Sequence, residues 1–155
     1  MLRTVPQPHD WELGPSLAFG PSFLHYPTFQ ICKSLGALKE RIASELPEFI
    51  RSGIHIMASQ TALGEITLGD SHEYGLAVNV FDRPIIDELI LNYARQYMRL
   101  PDFTIAERWH GVYAKHPKLP YIRISPEPRV RVVIVTSGIG MTLSFGIAEE
   151  TFCNC

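Results

Sequence analysis

Apolar residues recur along this chain with two periods, and the changes of period mark its elements. Leu35, Leu38, Ile42 and Leu46 follow at helical spacing behind Ser34, an oxygen-bearing N-cap candidate, until Pro47 stops the run. Ile54, Ile56 and Ala58 then alternate with His55, Met57 and Ser59. Thr61 to Gly64 turns the chain and Glu65 to Leu68 leads it back, which predicts a β-hairpin. A second helix is expected behind Asp82, with Pro84 in its first turn and one stripe of Ile86, Leu89, Ile90, Tyr93 and Tyr97. Beyond it, Phe103, Ile105, Glu107, Trp109, Gly111 and Tyr113 share one face of a predicted strand. Residues 1 to 30, rich in proline and aromatics, read as short edge strands and turns. The β-branched run Val132 to Val135 predicts a strand covered on both faces, which passes through a glycine turn into a helix with Thr142 and Ser144 as cap candidates. The fold class expected is α+β: an antiparallel sheet with packed helices, closing on a strand-turn-helix.

Composition narrows the classes without choosing among them. With 155 residues, 46% hydrophobic and 19% charged, the chain has the content of an ordinary globular domain, able to bury about two thirds of its unfolded surface. A net charge of −2 gives no electrostatic reason to expect nucleic acid or an anionic membrane as partner. The uncharged stretch from Val132 to Ala148 carries three glycines and four hydroxyl residues and falls short of the ~20 apolar residues of a membrane span. No basic start with an apolar segment behind it follows Met1, so the default location is cytoplasmic. Cys32, Cys153 and Cys155 do not form a zinc set, and the Cys-Asn-Cys terminus reads as frayed rather than as a metal or redox pair. The six histidines show no H-x-x-x-H or H-E-x-x-H spacing, so a metal-dependent hydrolase is the weakest reading and no metal is expected.

Three constellations carry candidate chemistry. In Asp70-Ser-His-Glu-Tyr74, His72 and Tyr74 point the same way and can orient a substrate; the alternative is a turn in which Asp70 and Ser71 bond their own backbone. Arg108 to His116 gathers a guanidinium, two imidazoles, a phenol and an ammonium within nine residues, equipment for gripping an anionic group beside an aromatic ring. There His110 and Tyr113 are candidates for positioning, Arg108 and Lys115 for holding an anion, and Trp109 for the core. The third is the turn Gly138, Ile139, Gly140, Met141 and Thr142, where the absence of Cβ lets a flat ligand touch the backbone and the following helix adds partial positive charge. A close-packed corner needing glycines only for geometry is the alternative there.

Four blocks, Leu2 to Pro6, Gly69 to Gly75, Glu107 to Pro117 and Gly138 to Gly146, occur in an order that resembles the C-terminal part of FAD-dependent oxidoreductases of the D-amino-acid oxidase, glycine oxidase and sarcosine oxidase superfamily. The resemblance covers nearly the whole chain. It implies a substrate-binding sheet domain over residues 1–117, and over 118–155 the strand, glycine turn and helix of the FAD-binding domain. It further implies oxidation of a C–N bond in a small amine or amino-acid-like substrate, in which hydride passes to flavin. His72, His110 and Tyr113 would then be the catalytic-site residues, Arg108 and Lys115 the substrate's anion partners, and Gly138 through Thr142 the flavin contacts. In such enzymes an arginine commonly stands two residues after the Trp-x-Gly glycine; here Tyr113 takes that place. No G-x-G-x-x-G occurs, so the chain reads as a fragment that lacks the FAD-binding half, with a separate FAD-binding half as a candidate partner, and alone it is expected to be colourless and inactive. The competing expectation is a non-catalytic interaction or relic domain.

Overall fold

A computed structural model describes residues 1–153, and Cys155 of the terminal cysteine pair lies outside them. The chain has a mixed α+β fold with antiparallel sheets, in two compact units, Met1–His110 and Gly111–Cys155.

The first unit is built on five strands: β1 (Leu2–Thr4), β2 (Leu17–Ala18), β3 (Met57–Gln60), β4 (Ile66–Gly69) and β5 (Ile105–Arg108). All neighbours are antiparallel, in the order β2-β3-β4-β1-β5. The predicted hairpin is β3–β4, closed by hydrogen bonds from Thr61 N–H to Glu65 O at 2.9 Å and from Gly64 N–H to Thr61 O at 3.0 Å. Gly64 stands there at φ +85°, a conformation that costs glycine nothing. Alternation decides what is buried: Ile54, Ile56 and Ala58 face inward, joined by Ile66, Leu68 and Leu2.

Four α-helices, α1 (Gly20–His25), α2 (Leu35–Glu45), α3 (Pro47–Arg51) and α4 (Pro84–Tyr97), and a 3-10 helix at Pro27–Ile31 complete this unit. Helix α4 lays Ile86, Ile90, Tyr93 and Ala94 into the same core as the sheet. At roughly 1.5–3 kcal/mol for each large apolar side chain withdrawn from water, this stripe holds the helix in place far more strongly than its propensity does. Pro84 is its first residue, as the spacing predicts, but Arg83 occupies the N-cap, and Asp82 instead accepts from His110 Nδ1 at 2.7 Å. Ser34 does precede α2, yet it lies in the α region at φ −80°, ψ −5°, and its hydroxyl makes no cap bond.

Residues 1 to 30 are not all edge: β1 lies between β4 and β5, with Leu2 and Thr4 fully buried. Thr4 Oγ1 accepts from Ile66 N–H at 2.9 Å and from Gln7 Nε2 at 3.2 Å, and Gln7 closes a further pair of bonds with the backbone of Asp102. Interior position depends on partners more than sixty residues away, which the composition of the first thirty does not reveal. The long strand expected from Phe103 to Tyr113 also stops at Arg108. Trp109 is not core: it stays 37% exposed, with the Arg3 guanidinium 5.1 Å over its ring.

The second unit holds an antiparallel ribbon of β6 (Tyr121–Ile124) and β7 (Val132–Val135), followed by α5 (Gly140–Cys153). Tyr121 donates to Glu150 Oε2 at 2.6 Å and Arg123 Nη1 to Glu150 O at 3.0 Å, tying ribbon to helix. Among the described residues β7 pairs with β6 alone and is half-buried, with Ile134 exposed, so the expected covering of both faces is absent. The helix begins at Gly140, two residues before its predicted cap, and Ser144 bonds back to Met141 O at 2.9 Å. Among the described residues no helix is long and apolar enough to cross a membrane.

Candidate functional site

His72 is the one predicted site residue that the fold surrounds with further titratable groups. It follows β4, and its backbone N–H donates to Ser52 O at 3.3 Å, while His55 N–H donates to Asp70 O at 3.0 Å, so pairing continues past the ends of β3 and β4. Gly53 makes this approach possible. At φ +55° it suits no ordinary side chain, and a Cβ there would meet His72 O at 2.8 Å. His25, the last residue of α1, completes the group. Ser22 anchors that helix by donating its hydroxyl to Ile56 O at 2.6 Å.

The result is a cluster of three imidazoles, two of which lie on one carboxylate. The Nε2 atoms of His55 and His72 are 2.9 Å apart, with rings inclined by only 9°. Asp70 Oδ1 is 2.8 Å from His55 Nε2 and 3.6 Å from His72 Nε2. The His25 ring stacks on both, 4.0 Å from His55 and 4.5 Å from His72 between centroids. Tyr26 and Tyr74 flank the stack. Burial alone raises the Asp70 carboxyl, but hydrogen bonds and charge from His55 and His72 outweigh it and hold Asp70 well below the usual carboxylate range. The Tyr26 phenol is raised, by burial and then by the Asp70 charge. His55 itself is 5% exposed, and its Nδ1 has no hydrogen-bond partner.

His25, His55 and Asp70 carry no sequence motif. His55 sits in an alternation where it reads as the outward residue between Ile54 and Ile56, and Asp70 reads equally well as a turn residue. With His72 they stand at positions 25, 55, 70 and 72, a spacing that matches no ligand motif. Only the pairing of β3 with β4 and the seating of α1 bring them together.

The remaining candidates distribute over the two units. In the first, Arg108 Nε donates to Asp87 Oδ2 at 2.9 Å and His110 bonds Asp82, so both side chains already have acidic partners. In the second, Tyr113 lies outside any strand with its phenol against the glycine turn: a Cβ at Gly138 would meet Tyr113 Oη at 3.0 Å. Gly138 stands at φ +74°. A Cβ on Gly140 would touch Val135 at 3.7 Å. The bare faces of both glycines are thus covered by the unit's own side chains, as a close-packed corner requires. Met141 and Thr142 are exposed, Ile139 is half-buried, and Lys115 is exposed. The N–H groups of a helix's first turn have no partner within the helix, so the start of α5 retains donors beside this exposed backbone.

A groove of about 450 Å³ lined by Glu48, Arg51, Ser52, Arg83, Ile85, Ile86 and Leu89 contains none of these candidates. No family model, no curated protein and no solved structure matches the chain.

Proposed function

We propose that this chain supplies the substrate side and the ring-edge contacts of an FAD-dependent oxidoreductase that oxidises a C–N bond of a small amine or amino-acid-like substrate. The ADP part of FAD is held, in this reading, by residues outside these 155. The observation that carries it is the surface of α5: Met141, Phe145 and Phe152 are 94%, 88% and 74% exposed. Helical spacing puts Met141 beside Phe145 and Phe152 two turns from Phe145, and such a surface is suited to being covered by further protein. The ordered blocks that resemble the amine-oxidase superfamily name that cover as a dinucleotide-binding half.

The residues present fit one part of FAD. Exposed Met141 and Thr142, with the first-turn N–H groups of α5, suit the edge of a flat ring that gathers negative charge, while no G-x-G-x-x-G turn offers a seat for pyrophosphate. FAD, when bound, supplies the hydride acceptor. The chain's own part is positioning: Tyr113 stands at the glycine turn to orient the amine by hydrogen bonding, and Lys115 offers a cation for an anionic substituent. His72, Arg108 and His110 are assigned to the substrate side on the resemblance, with Arg108 and His110 exchanging their acidic partners for substrate.

A second reading, a non-catalytic interaction domain, is favoured by the covering of Gly138 by Tyr113 and of Gly140 by Val135. Titration of the 15N-labelled chain with FMN separates the two. The flavin reading expects amide shifts concentrated at Ile139, Met141, Thr142 and Tyr113. Shifts scattered elsewhere, or none, would favour the interaction domain.

A further inference from the structure

We infer that His25, His55 and His72, with the Asp70 carboxylate beside two of them, form a binding site for a divalent transition-metal ion of the zinc class. One potential ligand atom from each of the three histidines lies within 4.8 Å of the others. Around a single ion with bonds of about 2.0–2.1 Å, donor atoms stand about 2.9 Å apart at right angles and about 3.4 Å apart in a tetrahedron. The edges between His55 Nε2, His72 Nε2 and Asp70 Oδ1 are 2.9, 2.8 and 3.6 Å. A point about 1 Å off the plane of these three atoms is therefore about 2 Å from each of them.

Proton accounting favours a cation at that point. Two imidazole nitrogens and a carboxylate oxygen converge, and a neutral imidazole carries only one proton, which Nε2 or Nδ1 must hold. A metal ion accepts all three lone pairs at once. His25, stacked across both rings, brings a third imidazole whose ligand atom lies within 4.8 Å of those of the other two. His55 Nδ1 makes no hydrogen bond, so no second partner fixes which of the two ring nitrogens carries the proton. Three imidazole nitrogens from α1, the approach to β3 and the end of β4, with a carboxylate beside two of them, suit a structural clip joining these segments. The inference is independent of the flavin reading, since it needs only the fold of the first unit.

The test is titration of the chelator-treated full chain with Co²⁺, followed by displacement with Zn²⁺. One Co²⁺ per chain, with the visible bands of four-coordinate cobalt and a higher unfolding midpoint in Zn²⁺, is the expected result. His25→Gln and His72→Gln, both at partly exposed positions, should each weaken binding at least about tenfold. His9→Gln should leave it unchanged. Circular dichroism of each variant guards against loss of fold, and Asp70→Asn serves as a third test of the set. Unaltered affinity in folded His25→Gln and His72→Gln would overturn the assignment. A thiolate-to-cobalt charge-transfer band would overturn it too, by placing the ion at the cysteines.

Discussion

Tyr93 shows how a single side chain couples burial to pH. It is 9% exposed, with Phe49, Phe19 and Tyr97 rings around it, and burial followed by the neighbouring Tyr97 phenol pushes its pKa up to about 12. Unfolded, the same phenol titrates near 10. The folded value is the higher one, so the stability linked to this group is fully present below about pH 10 and is lost as pH rises through about 12. The loss should amount to roughly 2 kcal/mol. Urea midpoints measured between pH 9 and 12, compared with those of Tyr93→Phe, check this: the wild-type curve should fall more steeply, and parallel curves would contradict it.

At the same scale, the chemistry-bearing residues were legible unequally. Tyr113 and the Gly138 turn do meet, as their short connection allows, whereas the cluster around His72 was half seen. His72 could be picked out from its place after a strand. His55 could not, because alternation assigned it to the outward face and only the extension of β4 past Gly69 brings Asp70 and His72 onto it. Residue type and spacing report local geometry, and this cluster is made by pairing across the hairpin.

Elements were read well where one period held for long enough. Helix α4 has its stripe and its Pro84 where the pattern puts them, and β3–β4 closes at the predicted glycine. Caps were read less well: Ser34 takes the N-cap position of α2, but neither it nor Asp82, Thr142 or Ser144 makes a capping side-chain bond, because Asp82 is drawn to His110 and the others lie in helical or near-helical backbone. The least legible element was β1, three residues long and interior. Its Thr4 hydroxyl receives the Ile66 N–H in a fully buried setting. Thr4→Val keeps the shape and removes the acceptor, leaving that donor unsatisfied at a cost of about 1–3 kcal/mol. Chemical denaturation should show this loss, with faster hydrogen exchange at the Ile66 amide. An unchanged midpoint would mean that Thr4 does not hold β1 to β4 through its hydroxyl.

Across the whole molecule, the two units differ in how they bury apolar surface. The first has a continuous core from Leu2 to Leu100, whereas the second, by itself, buries only Thr136 and Thr151 among its described residues and leaves the largest side chains of α5 in solvent. That asymmetry is what the proposal of a covering half explains. It could not be foreseen from the run Val132 to Ala148, whose apolar content reads the same whether the cover comes from this chain or from another.

The most direct test of this account compares how the chain holds FMN and FAD in equilibrium dialysis at the same salt and pH. Both share the ring, and only FAD carries the AMP extension that would need a pyrophosphate seat. A few backbone hydrogen bonds at roughly 0.5–1.5 kcal/mol each, set against several kcal/mol lost on association, give weak binding of the ring. The account predicts weak binding of both flavins, with affinities within about threefold, and no retained colour after extended dialysis. Binding of FAD at least about tenfold tighter than FMN, or a retained flavin that an amine reduces, would show that the chain seats the whole dinucleotide and would contradict the account.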